Sequence, residues 1–191
     1  MCSTMSETLK AAISASALGD STTALALLTQ ASAEQPGSAL PYLLMGAEHA
    51  KLGAVDKAEA GFANALLLEP GLVVARYQLG LLQLSSARSA MALLTWQPLL
   101  QLGESSPLPH FVLGFEALVH DQFVQARQHF EAGLMRNSDN PAMSEDIQMV
   151  LNKMDAIAPD PDRASGGPAV EKTEKDFHFL LSNYRQQGPV H

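Results

Sequence analysis

"YLLMGAEHAKLGAVDKAEAGFANALLLEP", residues 42 to 70, holds nothing that resembles a catalyst. Two helix-like halves meet at Lys51-Leu52-Gly53, and small residues recur where a packed fold would normally place bulk. A single helical hairpin of this length cannot bury its own apolar face, so the meaning of the stretch depends on whether it occurs more than once.

It does. Stepping along the chain by 34 residues gives four units without insertion or deletion, at 5 to 38, 39 to 72, 73 to 106 and 107 to 140. In the second, Met45-Gly46 is followed by Gly53, Ala58, Phe62, Ala65 and Pro70. The third has Leu79-Gly80, Ala87, Ala92, Trp96 and Leu99, and the fourth Leu113-Gly114, Asp121, Ala126, Phe130 and Gly133. The first has Ala11-Ala12, Gly19, Ala24, Leu28, Ala31 and Pro36. This period and small/large pattern resembles the tetratricopeptide repeat. Thr8 and Ala15 stand where that family has aromatics, Arg76 at the first aromatic column of the third unit, and Glu104 and Ser138 in place of the closing proline.

Each unit reads as a helix, a short turn with Gly or a small residue, and a second helix. Gly46, Ala58, Gly80, Ala92, Gly114 and Ala126 let paired helices approach closely, while Phe62, Trp96 and Phe130 fill the larger gaps. Pro98 falls inside the second helix of the third unit and is expected to kink or shorten it near Trp96. Residues 141 to 154 put Ile147, Val150, Leu151 and Met154 on one stripe, as a capping helix would. A Pro/Gly/Ala/Asp-rich linker follows over 155 to 172. A final amphipathic helix over 173 to 187 carries Phe177, Leu180, Leu181 and Tyr184 at i, i+3, i+4, i+7, stopped by Gly188-Pro189. The expected fold is all-α. The resemblance implies a right-handed superhelical solenoid over residues 5 to 154, made of four helix-turn-helix repeats and the capping helix.

The resemblance also implies that the first helix of each unit lines a concave, peptide-binding surface. Its positions here are Leu40, Leu43, Ala47, Ala50 and Lys51; Val74, Tyr77, Leu81, Leu84 and Ser85; Leu108, Phe111, Phe115, Leu118 and Val119; and Ser6, Leu9, Ile13, Ser16 and Ala17. Lys51 is the only charge among them. Members that hold a C-terminal carboxylate do so with a clamp of Lys, Arg and Asn on this face, because a buried carboxylate needs charge-assisted donors. Leu9, Ile13, Leu44, Val74 and Gln78 occupy those places here, so that clamp is not expected. An apolar wall suits an amphipathic helix or an extended segment with hydrophobic anchors.

Composition narrows the classes. The hydrophobic fraction is 47% and the formal net charge is −8, with no basic cluster to hold nucleic acid or an anionic membrane. The lone Cys2 offers neither an internal disulfide nor a thiolate metal site. The leader lacks a secretory pattern, and no stretch reaches the roughly 18 apolar residues of a membrane span, so a cytoplasmic address is expected. Glu116 and His120 sit at i, i+4 with no third ligand at useful spacing, and no metal site is expected. Carboxylates such as Glu48, Asp56, Glu59 and Glu69 are expected on solvated faces. Without a phosphate-cradling loop, a metalloprotease motif or a nucleophile elbow, neither enzyme activity nor a cofactor is expected.

Three readings follow. The first is a non-catalytic adaptor that holds a partner's peptide or helix. The second is a chaperone dedicated to a client's hydrophobic segment, as in small helical-repeat chaperones of bacterial secretion. The third is a structural subunit whose groove is filled by its own C-terminal helix, within the chain or between subunits.

Overall fold

In the computed structural model, residues 6–157 are described; the expected tail helix, its four apolar anchors and all but the first three residues of the expected linker lie outside them. The described residues form nine α-helices, one 3-10 helix and no strands. In order they are α1 (Glu7–Ala17), α2 (Ser21–Glu34), α3 (Ala39–Lys51), α4 (Val55–Leu68), α5 (Val73–Ser85), α6 (Ser89–Trp96), the 3-10 helix Gln97–Gln101, α7 (Leu108–Val119), α8 (Phe123–Leu134) and α9 (Pro141–Ile157). Helices adjacent in sequence pack against each other, α1 with α2, α3 with α4 and α7 with α8 most extensively.

The 34-residue period is written into the backbone. Gly19, Gly53, Ala87 and Asp121, each one period apart, are the only described residues with positive φ, between 56° and 78°. At each, two hydrogen bonds of 2.9–3.1 Å close the end of the preceding helix. Gly53 N–H donates to the Ala50 carbonyl and Ala54 N–H to that of His49; Ala87 and Arg88 donate likewise to Leu84 and Gln83. This crossed pair satisfies carbonyls that a helix end leaves open, and it requires the left-handed conformation at the residue between. Glycine adopts it without strain, whereas Ala87 and Asp121 do so at a cost.

The side-chain columns repeat as well. Ala24, Ala58, Ala92 and Ala126 are fully buried, and Leu28, Phe62, Trp96 and Phe130, four residues later, are at most 1% exposed. A Cβ on Gly46 would strike the ring of Phe62, and one on Gly114 the ring of Phe130. Within each of these hairpins the missing side chain on the first helix therefore makes room for the aromatic on the second.

The chain divides into two compact units, with the boundary inside α5 after Leu82. In the first unit, Leu9, Ala12, Leu28 and Ala31 form a core onto which Leu44 and Met45 of α3 pack. Ala58 and Phe62 meet Leu79 and Leu82 of α5, and Ala39 and Ala65 meet Ala75. In the second unit, Phe115 stacks on Trp96 at 5.5 Å and meets Phe130 edge-on at 5.0 Å. As Pro98 requires, α6 stops at Trp96 and the chain tightens into the 3-10 helix. The stripe Ile147, Val150, Leu151 and Met154 of α9 is buried, and this helix runs to Ile157, three residues past its expected end. Asn140 starts it by accepting from Met143 N–H at 3.1 Å, and Arg127 of α8 pairs with Asp155 in its last turn.

Candidate functional site

The residues expected to line an inner face divide by exposure. On the first helices of the first unit, Ile13 (39%), Leu40 (36%) and Val74 (42%) are open to solvent. Leu43, Leu44, Ala47 and Gln78 are half-buried, while Tyr77 and Leu81 are buried. Leu43 leans on the cores built from Ala58 and Phe62 and from Ala65 and Ala75. In the second unit Leu84, Leu108, Phe111, Phe115 and Leu118 are all buried.

For Phe111 and Phe115 the contacts overturn the expectation that they line a binding face. Gly133 on α8 leaves a gap into which the Phe111 ring fits so closely that a Cβ there would collide with it. Phe115 is held by Trp96 and Phe130. Both rings are core residues of the second unit, and the exposed apolar residues among the expected positions, Ile13, Leu40 and Val74, all belong to the first.

Lys51, the single expected charge, is not free. Its ammonium lies 2.8 Å from Glu48 Oε1 and donates to Ser16 Oγ at 2.9 Å. The Ser16 hydroxyl in turn donates to the same Glu48 oxygen. Glu48, expected on a solvated face, is only 3% exposed. Ser16 at the end of α1 covers it, together with its own helical neighbour Lys51. Burial pushes its carboxyl pKa upward, but the hydrogen bonds from Lys51 and Ser16, the nearby Ser21 hydroxyl and the Lys51 charge outweigh this and hold it below the usual range. Ser21 favours the anion without closing a hydrogen bond to Oε2, which has no partner. The cluster ties α1 to α3 and leaves the face without net charge. The sequence signal for it was the i, i+3 Glu48–Lys51 spacing, which only the preceding hairpin turns into a buried pair. Of the other carboxylates named, Asp56 and Glu69 are exposed and Glu59 is half-buried.

In the second unit His110 and His129 bring their rings to 6.3 Å, with His110 Nδ1 buried and unpartnered. Burial, then Arg136, then His129 hold the His110 pKa below the ordinary imidazole value. His120 caps the end of α7 and is exposed. Among the described residues no three His, Cys, Asp or Glu side chains converge to hold a metal ion, and no helix is long and apolar enough to cross a membrane. No protein-family model matches the chain, and a search of the curated proteins finds no match.

Proposed function

We propose that this protein is a tetratricopeptide-type interaction module without chemistry of its own, and that it holds an apolar peptide or amphipathic helix of another protein against the first helices of its first unit. The observation that carries this is that Ile13, Leu40 and Val74, each on a first helix of the first unit, are open to solvent, that Leu43, Leu44 and Ala47 are only half-buried, and that Lys51 is already neutralised by Glu48. Apolar side chains of a guest gain roughly 25 cal/mol per Å2 on such a wall, and only part of that survives the cost of association. A carboxylate-led ligand finds no uncompensated cation there. The four identical turns, one period apart, support the repeat reading.

The test is fluorescence polarisation of the full chain against a panel of amphipathic helical peptides. Saturable binding that Leu40→Glu and Val74→Glu weaken at least about tenfold, with the helical CD spectrum unchanged, is the expected result. Binding indifferent to both substitutions removes the reading.

A further inference from the structure

Three groups that carry or can accept positive charge meet at one end of the α7–α8 hairpin, within the second unit. His110 on α7 and His129 on α8 hold their rings 6.3 Å apart. Arg136, in the turn after α8, closes this end. Its Nε donates at 3.0 Å to the carbonyl of Glu104, in the loop that leads into α7, and its Nη1 at 2.7 Å to that of Ala132, one turn beyond His129. Nη2 makes no hydrogen bond within the described residues. The two histidines are half-buried and Arg136 is exposed, so solvent reaches the group.

No counterion among the described residues is paired with it. None of the three belongs to an ion pair, although Glu104 and Glu131 stand nearby in sequence. The first turn of α7 holds no acid, and the neighbouring α6 and 3-10 helix carry no charged residue. On α9, Asp155 is taken by Arg127, Asp146 and Lys153 have interactions of their own, and Glu145 is exposed. The two side chains whose charge acts on His110, Arg136 and His129, both oppose its protonation. His110 Nδ1 is buried without a partner. A proton there would be an unsatisfied buried donor, so the neutral ring carries it on Nε2 and keeps an N–H free for a ligand.

We infer that His110, His129 and Arg136 form a binding site for a tetrahedral oxyanion, either free phosphate or a phosphoryl group on a larger ligand. Donors on α7, on α8 and on the turn after it outnumber the two oxygens of a carboxylate and match three oxygens of such an anion. A bound dianion also reverses the electrostatics at the rings, since it favours the imidazolium forms that Arg136 opposes. Binding therefore takes up protons and strengthens as the pH falls. The site is separate from the apolar side chains of the first unit and stands or falls independently of the adaptor reading.

Sulfate tests this in the full chain, because it has the shape of phosphate and keeps one charge across the imidazole range. At fixed ionic strength, sulfate replacing chloride should shift the C2–H proton resonances of His110 and His129 and raise their titration midpoints. Those of His49 and His120 should stay in place. Affinity should rise at least about fivefold from pH 7.5 to pH 6. Arg136→Gln, with the helical CD spectrum unchanged, should lower it at least about tenfold. Inorganic phosphate and O-phosphoserine should both compete with sulfate, and the tighter of the two names the source. Histidine resonances that move all alike or not at all would overturn the inference in the wild-type chain, whatever the variant does. So would acetate competing as well as sulfate, a folded Arg136→Gln chain that binds as before, or zinc chloride shifting the two rings where sulfate does not.

Discussion

Gly61 lies so close to α3 that a Cβ placed on it would come within 2.6 Å of the Gly46 nitrogen. That obstacle is backbone, which cannot turn aside as the end of a side chain can. Gly61→Ala is therefore expected to destabilise the protein by about 3 kcal/mol, read as a lowered midpoint in urea unfolding. Ala87 presents the opposite case. Its φ of 60° is one that L-residues resist, while Gly53 holds the equivalent turn one period earlier at 69°. Ala87→Gly should relieve part of that strain and raise stability by about 0.5–1 kcal/mol, measured in the same way. At Glu48 the decisive quantity is the charge left behind. Lys51→Ala strips a 3% exposed carboxylate of its cation and is expected to cost about 2–4 kcal/mol. Glu48→Gln with Lys51→Ala together should cost less than Lys51→Ala alone, because no anion then stays buried.

Among the helices, the four second helices begin alike in backbone but not in chemistry. Asp20 starts α2 with φ −85° and ψ 74°, and its carboxylate accepts from Thr23 N–H at 3.0 Å. Ala54 starts α4 with nearly the same angles, φ −82° and ψ 71°, and offers no side-chain cap. Ala54→Asp should therefore cap α4 without rearrangement and add about 1 kcal/mol, visible as a higher thermal midpoint.

The elements were legible in the sequence because each hairpin sets a small residue against a large one, and that constraint recurs every period. Pro98 was legible for a different reason, since a missing N–H acts locally. Which apolar residues stay open was not legible. Leu43 and Phe111 occupy the same column, yet Leu43 faces a helix carrying Ala65 and stays half-buried, whereas Phe111 faces Gly133 and sinks into the gap. The residue across the hairpin contributes to the choice between wall and core but does not decide it alone, since Leu9, in the same column, meets Ala31 and is buried. The same holds for Glu48, whose burial needs Ser16 from the preceding hairpin, 32 residues away.

For the molecule as a whole, mild acid should loosen the fold through two histidines. His110 and His49 both have pKa values held below the usual 6.5, chiefly by burial, with Arg136 and His129 adding to it at His110 and Lys57 at His49. The unfolded chain thus takes up protons first as the pH falls. The stability these imidazoles contribute is complete above about 6.5 and is lost as the pH drops through their folded values. Urea midpoints at pH 5 should lie below those at pH 7.5, and His110→Asn should flatten that dependence. Glu48, held low, adds its own loss only below the ordinary carboxyl range near 4.5.

The nearest-neighbour packing of the hairpins also bears on biosynthesis. Among the described residues, the cores built on Leu9, Phe62 and Ala75 use residues no later than Leu82, so they can consolidate on the ribosome while α6 to α9 are still being translated. During that interval the exposed side chains of Ile13, Leu40 and Val74 are already in place. A nascent chain would then offer those side chains to a binding partner for some seconds before the later helices exist.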